Sequence, residues 1–210
     1  MITSRLRRRA AVVALSLTAA LAPAAASTAA SPAPAAKAAV PAAAALAAAT
    51  CPVVQDKLFA AADRSVDTGR ITPERPAYRT SCEQLYRADN RGPEIVFEQG
   101  FHPRAPLYGQ YDLAKYVLVN QPSPFVSATY DHDLYKQWKS AWNYYIDAPG
   151  GIDVNETIGD THTWADQVEV AFPGGVARRF VVGACPVDKQ TRTEIMNECL
   201  DNPHYRPWRG

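Results

Sequence analysis

All four cysteines of this chain fall after residue 50, grouped at the two ends of the stretch 51–210: Cys51 and Cys82 near its start, Cys185 and Cys199 near its close. An even count in an exported chain predicts two disulfides, which pin the ends of one folded unit. Four cysteines allow three pairings. Cys51–Cys82 with Cys185–Cys199 is the expected one, because each bond then closes one end of the domain. A redox role is the lesser reading, and no CxxC or Cys/His spacing suggests zinc.

That the chain is exported is read from its first residues. Arg5, Arg7, Arg8 and Arg9 form a basic stretch, residues 10–22 an apolar run too short to span a bilayer comfortably, and residues 24–27 a small-residue cleavage site. This is the pattern of a secretory signal peptide, expected over residues 1–26. Residues 27–50 are nearly all Ala, Pro and Ser, which predicts a disordered linker or pro-segment. One folded unit, 51–210, remains, long enough to bury a sizeable core. Five of the 22 basic residues and none of the 21 acidic ones precede Cys51, so residues 51–210 carry a net charge of −4. A protein that tracks nucleic-acid phosphates shows a basic excess, so any contact with nucleic acid here has a small footprint.

Pattern along the domain predicts an α+β fold of short helices around a bent antiparallel sheet or pair of sheets. Helical spacing of apolar residues over 53–66 predicts an N-terminal helix. Strands are expected at 84–88, 124–130 and 143–147, and short helices at 92–100 and 112–118. The runs QVEVAF and VARRFVVGA, separated by Pro173-Gly174-Gly175, predict a hairpin. The stretch from Asp201 reads as a tail.

Within this frame three islands carry unusual chemistry. The first, LYRADNRGPEIVFEQGFHPR (85–104), sets Arg87 and Asp89 two apart on a strand. The second, FVSATY (125–130), carries Ser127. The third, QVEVAFPGG (167–175), sets Gln167 and Glu169 two apart on an expected strand, so that both point to one face. Each has a plain reading alone: a salt bridge, a strand serine, a solvated face. Nothing like GxSxG surrounds Ser127, which argues against a serine hydrolase. In order and together the islands resemble the mono-ADP-ribosyltransferase family, in its branch with Arg, Ser-Thr-Ser and (Gln or Glu)-x-Glu motifs. With Gln at the first position of the third motif, the chain is most similar to the pierisin and scabin group, which modifies guanine. The second island departs from the family by having Ser127-Ala128-Thr129.

That resemblance implies an ADP-ribosyltransferase fold whose bent sheets form a cleft for NAD+, a co-substrate, with no metal. It implies Glu169 as the carboxylate that stabilises the cationic ribose, Ser127 as its support, and Arg87 on the diphosphate. Asp89 backs Arg87, and Arg104 and Asn120 supply further phosphate or ribose contacts. Gln167 and Trp164 meet the acceptor. Trp138 is either a nicotinamide-side lid or core. The implied partners are NAD+ and guanine in DNA, nucleotides or nucleosides, with no membrane and a monomeric, extracellular protein. Residue chemistry agrees with the acceptor: a neutral amide offers one donor and one acceptor, as guanine's N3 and 2-amino edge does. The alternatives are a protein-modifying transferase or NAD+ glycohydrolase of the same fold and, more distantly, a disulfide-linked binding module. Asp131-His132-Asp133 is a helix start rather than a metal site, and APGGID lacks the spacing of a dinucleotide fingerprint.

Overall fold

The computed structural model describes residues 51–209. Its centre is an antiparallel sheet built from β1 (Leu85–Asp89), β2 (Phe125–Thr129), β3 (Trp142–Ile146), β4 (Ile152–Asp153), β5 (Glu169–Pro173), β6 (Val181–Asp188), β7 (Thr193–Glu194) and β8 (Leu200–Asp201). The strand order is β4-β5-β2-β1-β3-β6-β7, and β8 pairs with β6. Three short helices, α1 (Pro93–Gln99), α2 (Leu113–Val119) and α3 (Val154–Ile158), flank it.

Local chemistry places the helices. Pro93 opens α1 with φ preset for a first turn, and Gly100 closes it at φ 75°. Asp112 caps α2 by accepting from the Lys115 N–H, and Asp153 caps α3 by accepting from the Glu156 N–H. The predicted strands at 84–88, 124–130 and 143–147 and the helices at 92–100 and 112–118 all form, within a residue or two.

Alternation along the strands then divides the core. Leu85, Val126, Tyr144, Phe172 and Val181 pack with Val96, Phe97 and Phe101 of the α1 region. Phe125, Ala171 and Ile152 pack instead with Leu113, Tyr116 and Val117 of α2 and with Val154 of α3. Both predicted disulfides are formed, Cys51–Cys82 and Cys185–Cys199.

Two expectations fail. Residues 53–66 are not a helix. Their backbone groups bond outward: the Asp63 N–H donates to the Gly174 carbonyl, and the Ala60 carbonyl accepts from the Ala177 N–H. Long-range pairing at those sites outcompetes local helical spacing.

Nor do the two runs around Pro173-Gly174-Gly175 form a hairpin. β5 pairs with β2 and β4, and β6 pairs with β3, three strands away. The glycines serve a close backbone crossing. Both adopt positive φ, and a Cβ on Gly175 would lie 1.9 Å from the Phe101 carbonyl oxygen, one on Gly174 2.2 Å from that of Asp63.

The sheet has one weak junction. β1 pairs with β3 along five positions and β2 with β5 along five, but β1 and β2 pair only at Tyr86 opposite Thr129. Beyond that pair the two strands part, and a cleft opens at the parting.

Candidate active site

Where β1 and β2 separate, their facing backbone groups lose sheet partners, and a side chain must take their place. Arg87 does so: its Nη1 donates to the Ser127 carbonyl at 2.6 Å. The same guanidinium is steadied by Asp89, with Nε at 3.2 Å and Nη2 at 3.1 Å from Oδ2. Asp89 is held in turn by Arg91, which donates from Nε (2.9 Å), Nη2 (2.7 Å) and its backbone N–H (3.0 Å). Both guanidinium groups lie over the Phe101 ring, at 5.2 and 5.3 Å. Burial alone would raise the Asp89 carboxyl. The hydrogen bonds from Arg91 and the charge of Arg87 outweigh it and hold the group at about 2.

The cavity at the parting has a volume of about 630 Å³. Its wall gathers nearly every residue singled out by sequence. Arg87, Arg104, Asn120, Ser127, Trp138, Trp164, Gln167 and Glu169 all line it; Asp89 does not, and sits behind Arg87. Arg91, His102, Tyr86 and Tyr116 also line it, and motif reasoning passed over all four.

Glu169 is the first residue of β5, directly opposite Thr129 of β2. Ser127, two residues along β2, therefore shares its face, and its Oγ donates to Glu169 Oε1 at 2.5 Å. Desolvation raises the Glu169 carboxyl above the ordinary glutamate value; the Ser127 bond and the Arg87 charge work against that rise.

Gln167 reaches the same cavity by another route than expected. It does not lie on the strand with Glu169. It ends a single 3-10 turn, Ala165–Gln167, and Val168 between the two adopts φ 40°, ψ 54°. For a β-branched residue that left-handed conformation is an outlier. It bends the chain between amide and carboxylate, so strand alternation does not set their relation. Three anchors fix the turn. The Thr129 hydroxyl donates to the Gln167 carbonyl at 2.6 Å, Asn155 Nδ2 of α3 donates to the Ala165 carbonyl at 2.9 Å, and His162 Nε2 meets Asn155 Oδ1 at 2.9 Å. Because the Trp164 N–H donates to His162 Nδ1 at 3.3 Å, the imidazole carries its proton on Nε2.

The two tryptophans stand at the cavity with open faces, Trp138 at 48% and Trp164 at 42% exposure. Trp138 thus resolves to the cavity wall rather than the core. It follows the 3-10 turn His132–Lys136, which Asp131 caps by accepting from the Asp133 N–H, as expected of a helix start. On another side, Arg104 Nη2 donates to both the backbone carbonyl and Oδ1 of Asn120, each at 2.7 Å. Asn120 closes α2 in the left-handed conformation.

A mouth with arginine on one side, a serine-held carboxylate within, and an amide and two indoles near it can take an anionic ligand with flat aromatic ends. It can also set negative charge against a developing cation. Among the described residues no group of three or more His, Cys, Asp or Glu is placed to hold a metal ion.

Comparison with known proteins agrees with this geometry. The family model described as Scabin-like matches residues 85–205. A guanine-specific ADP-ribosyl transferase from Streptomyces coelicolor is 66% identical over 209 residues, 99% of this chain and 100% of that protein. Pierisin from Pieris brassicae is 36% identical over 115 residues, 49% of this chain and 14% of pierisin. The structure of scabin toxin from Streptomyces scabies in complex with NADH superposes with a TM-score of 0.76. It is 67% identical and spans 77% of this chain and 98% of scabin. This chain therefore belongs to the Scabin-like family, with its α+β fold built on an antiparallel sheet.

Proposed function

We propose that the protein cleaves NAD+ at the nicotinamide–ribose bond and transfers ADP-ribose to the 2-amino group of guanine. The observation that carries this reading is the shared cavity of Glu169, held by Ser127, and Gln167, presented by its own turn, beside Arg87. It is supported by the scabin complex with NADH and by the guanine specificity named for the Streptomyces coelicolor relative.

NAD+ supplies a ribose whose bond to nicotinamide breaks with a neutral leaving group and leaves positive charge on the ribose. Among the described residues, Glu169 is the one carboxylate lining the cavity to meet that charge. Ser127 donates its one proton to Oε1, which leaves Oε2 for a ribose hydroxyl. Arg87, engaged at Nε and Nη2 by Asp89 and at Nη1 by the Ser127 carbonyl, keeps one N–H on each terminal nitrogen for the diphosphate. Arg104 and Asn120 give a second polar contact, and Trp138 covers the nicotinamide side. Gln167 pairs with the guanine edge, and Trp164 offers a face for stacking.

Guanine's 2-amino group lies in the minor groove of duplex DNA, next to its pairing partner. An amide that reads that edge takes unpaired bases, nucleotides or nucleosides more readily. The net charge of residues 51–210 favours the same acceptors. In this reading residues 1–26 direct export and 27–50 are a linker or pro-segment, both outside the described residues, and 51–210 act outside the cell as a monomer.

Mass spectrometry of guanosine, GMP, GTP, adenosine, a DNA oligomer and agmatine, each incubated with the purified protein and NAD+, tests the proposal. Adducts on guanine compounds alone are expected. Adducts on agmatine, or nicotinamide release without any adduct, would replace the guanine assignment with a protein-modifying or hydrolytic one. An unchanged NAD+ pool would point to a binding module.

A further inference from the structure

Glu169 is not held by Ser127 alone. Tyr116, in the middle of α2, places its hydroxyl 2.5 Å from Ser127 Oγ. A serine hydroxyl has one proton and two lone pairs. Ser127 donates its proton to Glu169 Oε1, so the bond to Tyr116 needs the phenol as donor. The three groups form a chain of one direction: Tyr116 to Ser127 to Glu169. Without the phenol, the serine Oγ is free to rotate about χ1 and χ2 and donate elsewhere.

We infer that Tyr116 is a positioning residue for Glu169, acting through Ser127, which it locks as a donor to the carboxylate. The inference rests on the assignment of Glu169 as the group that stabilises the ribose cation.

The surroundings suit the role. Tyr116 is buried, packed at 5.2 Å against the Phe125 ring at the start of the same strand as Ser127. Asp112 caps the helix that carries it, so the phenol approaches on a fixed backbone. Burial first, then the Glu169 charge, pushes the phenol well above the ordinary tyrosine range, so it stays a donor at every working pH. The other charged or titratable groups on the same cavity wall are Arg87, Arg91, Arg104 and His102, besides Tyr86. Arg87 of β1 acts on both Glu169 and Tyr116, and Arg104, in the segment after α1, acts on Tyr116. The guanidinium groups stay charged across the working range, and His102 is common to the wild type and every variant, so a change in the carboxyl's titration after altering Tyr116 has one source.

The test uses the full-length protein labelled with 13C at glutamate Cδ, with the Glu169 signal assigned by its loss in Glu169→Gln. Tyr116→Phe keeps the ring and removes the donor. It is expected to raise the pH at which Glu169 titrates and to move the acid limb of kcat for NAD+ consumption the same way. It should also lower kcat about five- to tenfold, the size set by one such hydrogen bond, with KM nearly unchanged. In a Ser127→Ala background Tyr116→Phe should change neither quantity, since its route is gone. Replacement of Tyr116 by 3-fluorotyrosine, a stronger donor of nearly the same shape, should move the titration down, and serves if the Phe variant does not fold. An unmoved Glu169 titration, or equal effects with and without Ser127, overturns the inference. A wild-type protein that never consumes NAD+ overturns the assignment of the reaction instead, while the carboxyl titration still reports on Tyr116.

Discussion

At the scale of single residues, the proposed function divides the chemistry between Glu169, as charge, and Gln167, as recognition. Glu169→Ala is expected to reduce both nicotinamide release and guanine transfer by on the order of 10²–10³-fold, measured by nicotinamide and adduct formation. Gln167→Ala should lower guanine transfer about 10–100-fold, the range of one paired base contact, while NAD+ hydrolysis stays within about threefold. The pH dependence has a definite sign. Activity that needs the Glu169 carboxylate falls as pH drops through its raised titration point, so the acid limb should sit above 4.5, the ordinary value. Stability that depends on Asp89 is also lost on acidification, but over a lower pH range. Its folded-state value is depressed to about 2 from 3.8, so its contribution is intact above the ordinary value and is lost as pH falls from there toward 2. The identities of Arg87, Ser127 and Glu169 were legible in the sequence because motif order carries them. Tyr116 was not. A tyrosine at core spacing in LAKYVLV gives no sign of what its hydroxyl meets, and only the packing of α2 on β2 brings it to Ser127.

At the scale of elements, the turn before β5 is the informative part. Sequence alternation put Gln167 and Glu169 on one strand face. The strand instead starts at Glu169, and Val168 bends the chain. Alternation is a statement about extended backbone, and it lapses where one residue leaves that conformation. A non-glycine residue held there costs on the order of 1–3 kcal/mol, which the Thr129 and Asn155 bonds help to offset. Val168→Gly should therefore leave the melting temperature unchanged or slightly higher. It should also shift products from guanine adduct toward free ADP-ribose, because Gln167 is less constrained; chromatography of the two products decides it. The expected hairpin at Pro173-Gly174-Gly175 failed for a related reason. Turn-forming residues mark a reversal or a tight passage, and which one depends on partners far away in sequence, here Asp63, Phe101 and Pro124.

At the scale of the whole, the described domain is held at its ends. Cys51–Cys82 closes a separation of 31 residues and Cys185–Cys199 one of 14. Loops of this order stabilise by about 3 kcal/mol each, so reduction should lower the melting temperature markedly, read by calorimetry with and without reductant. The tail from Asp201 adds a second fastening that composition hid. Asp147 accepts from the Tyr205 hydroxyl (2.5 Å), Trp208 Nε1 (2.9 Å) and Arg209 Nη2 (2.5 Å). A short segment rich in Pro and Arg looked like loose chain because its partner lies far back in the sequence, just after β3. By contrast, the centre is joined lightly, since β1 and β2 meet at one residue pair and Arg87 bridges the rest. The bridge is also the residue proposed to hold the diphosphate. An anion that draws its guanidinium outward loosens the seam, and one that leaves the Ser127 bond in place adds a rivet to it. On the proposed function, a ligand that fills the cleft therefore acts on the seam of the sheet through the side chain that spans it.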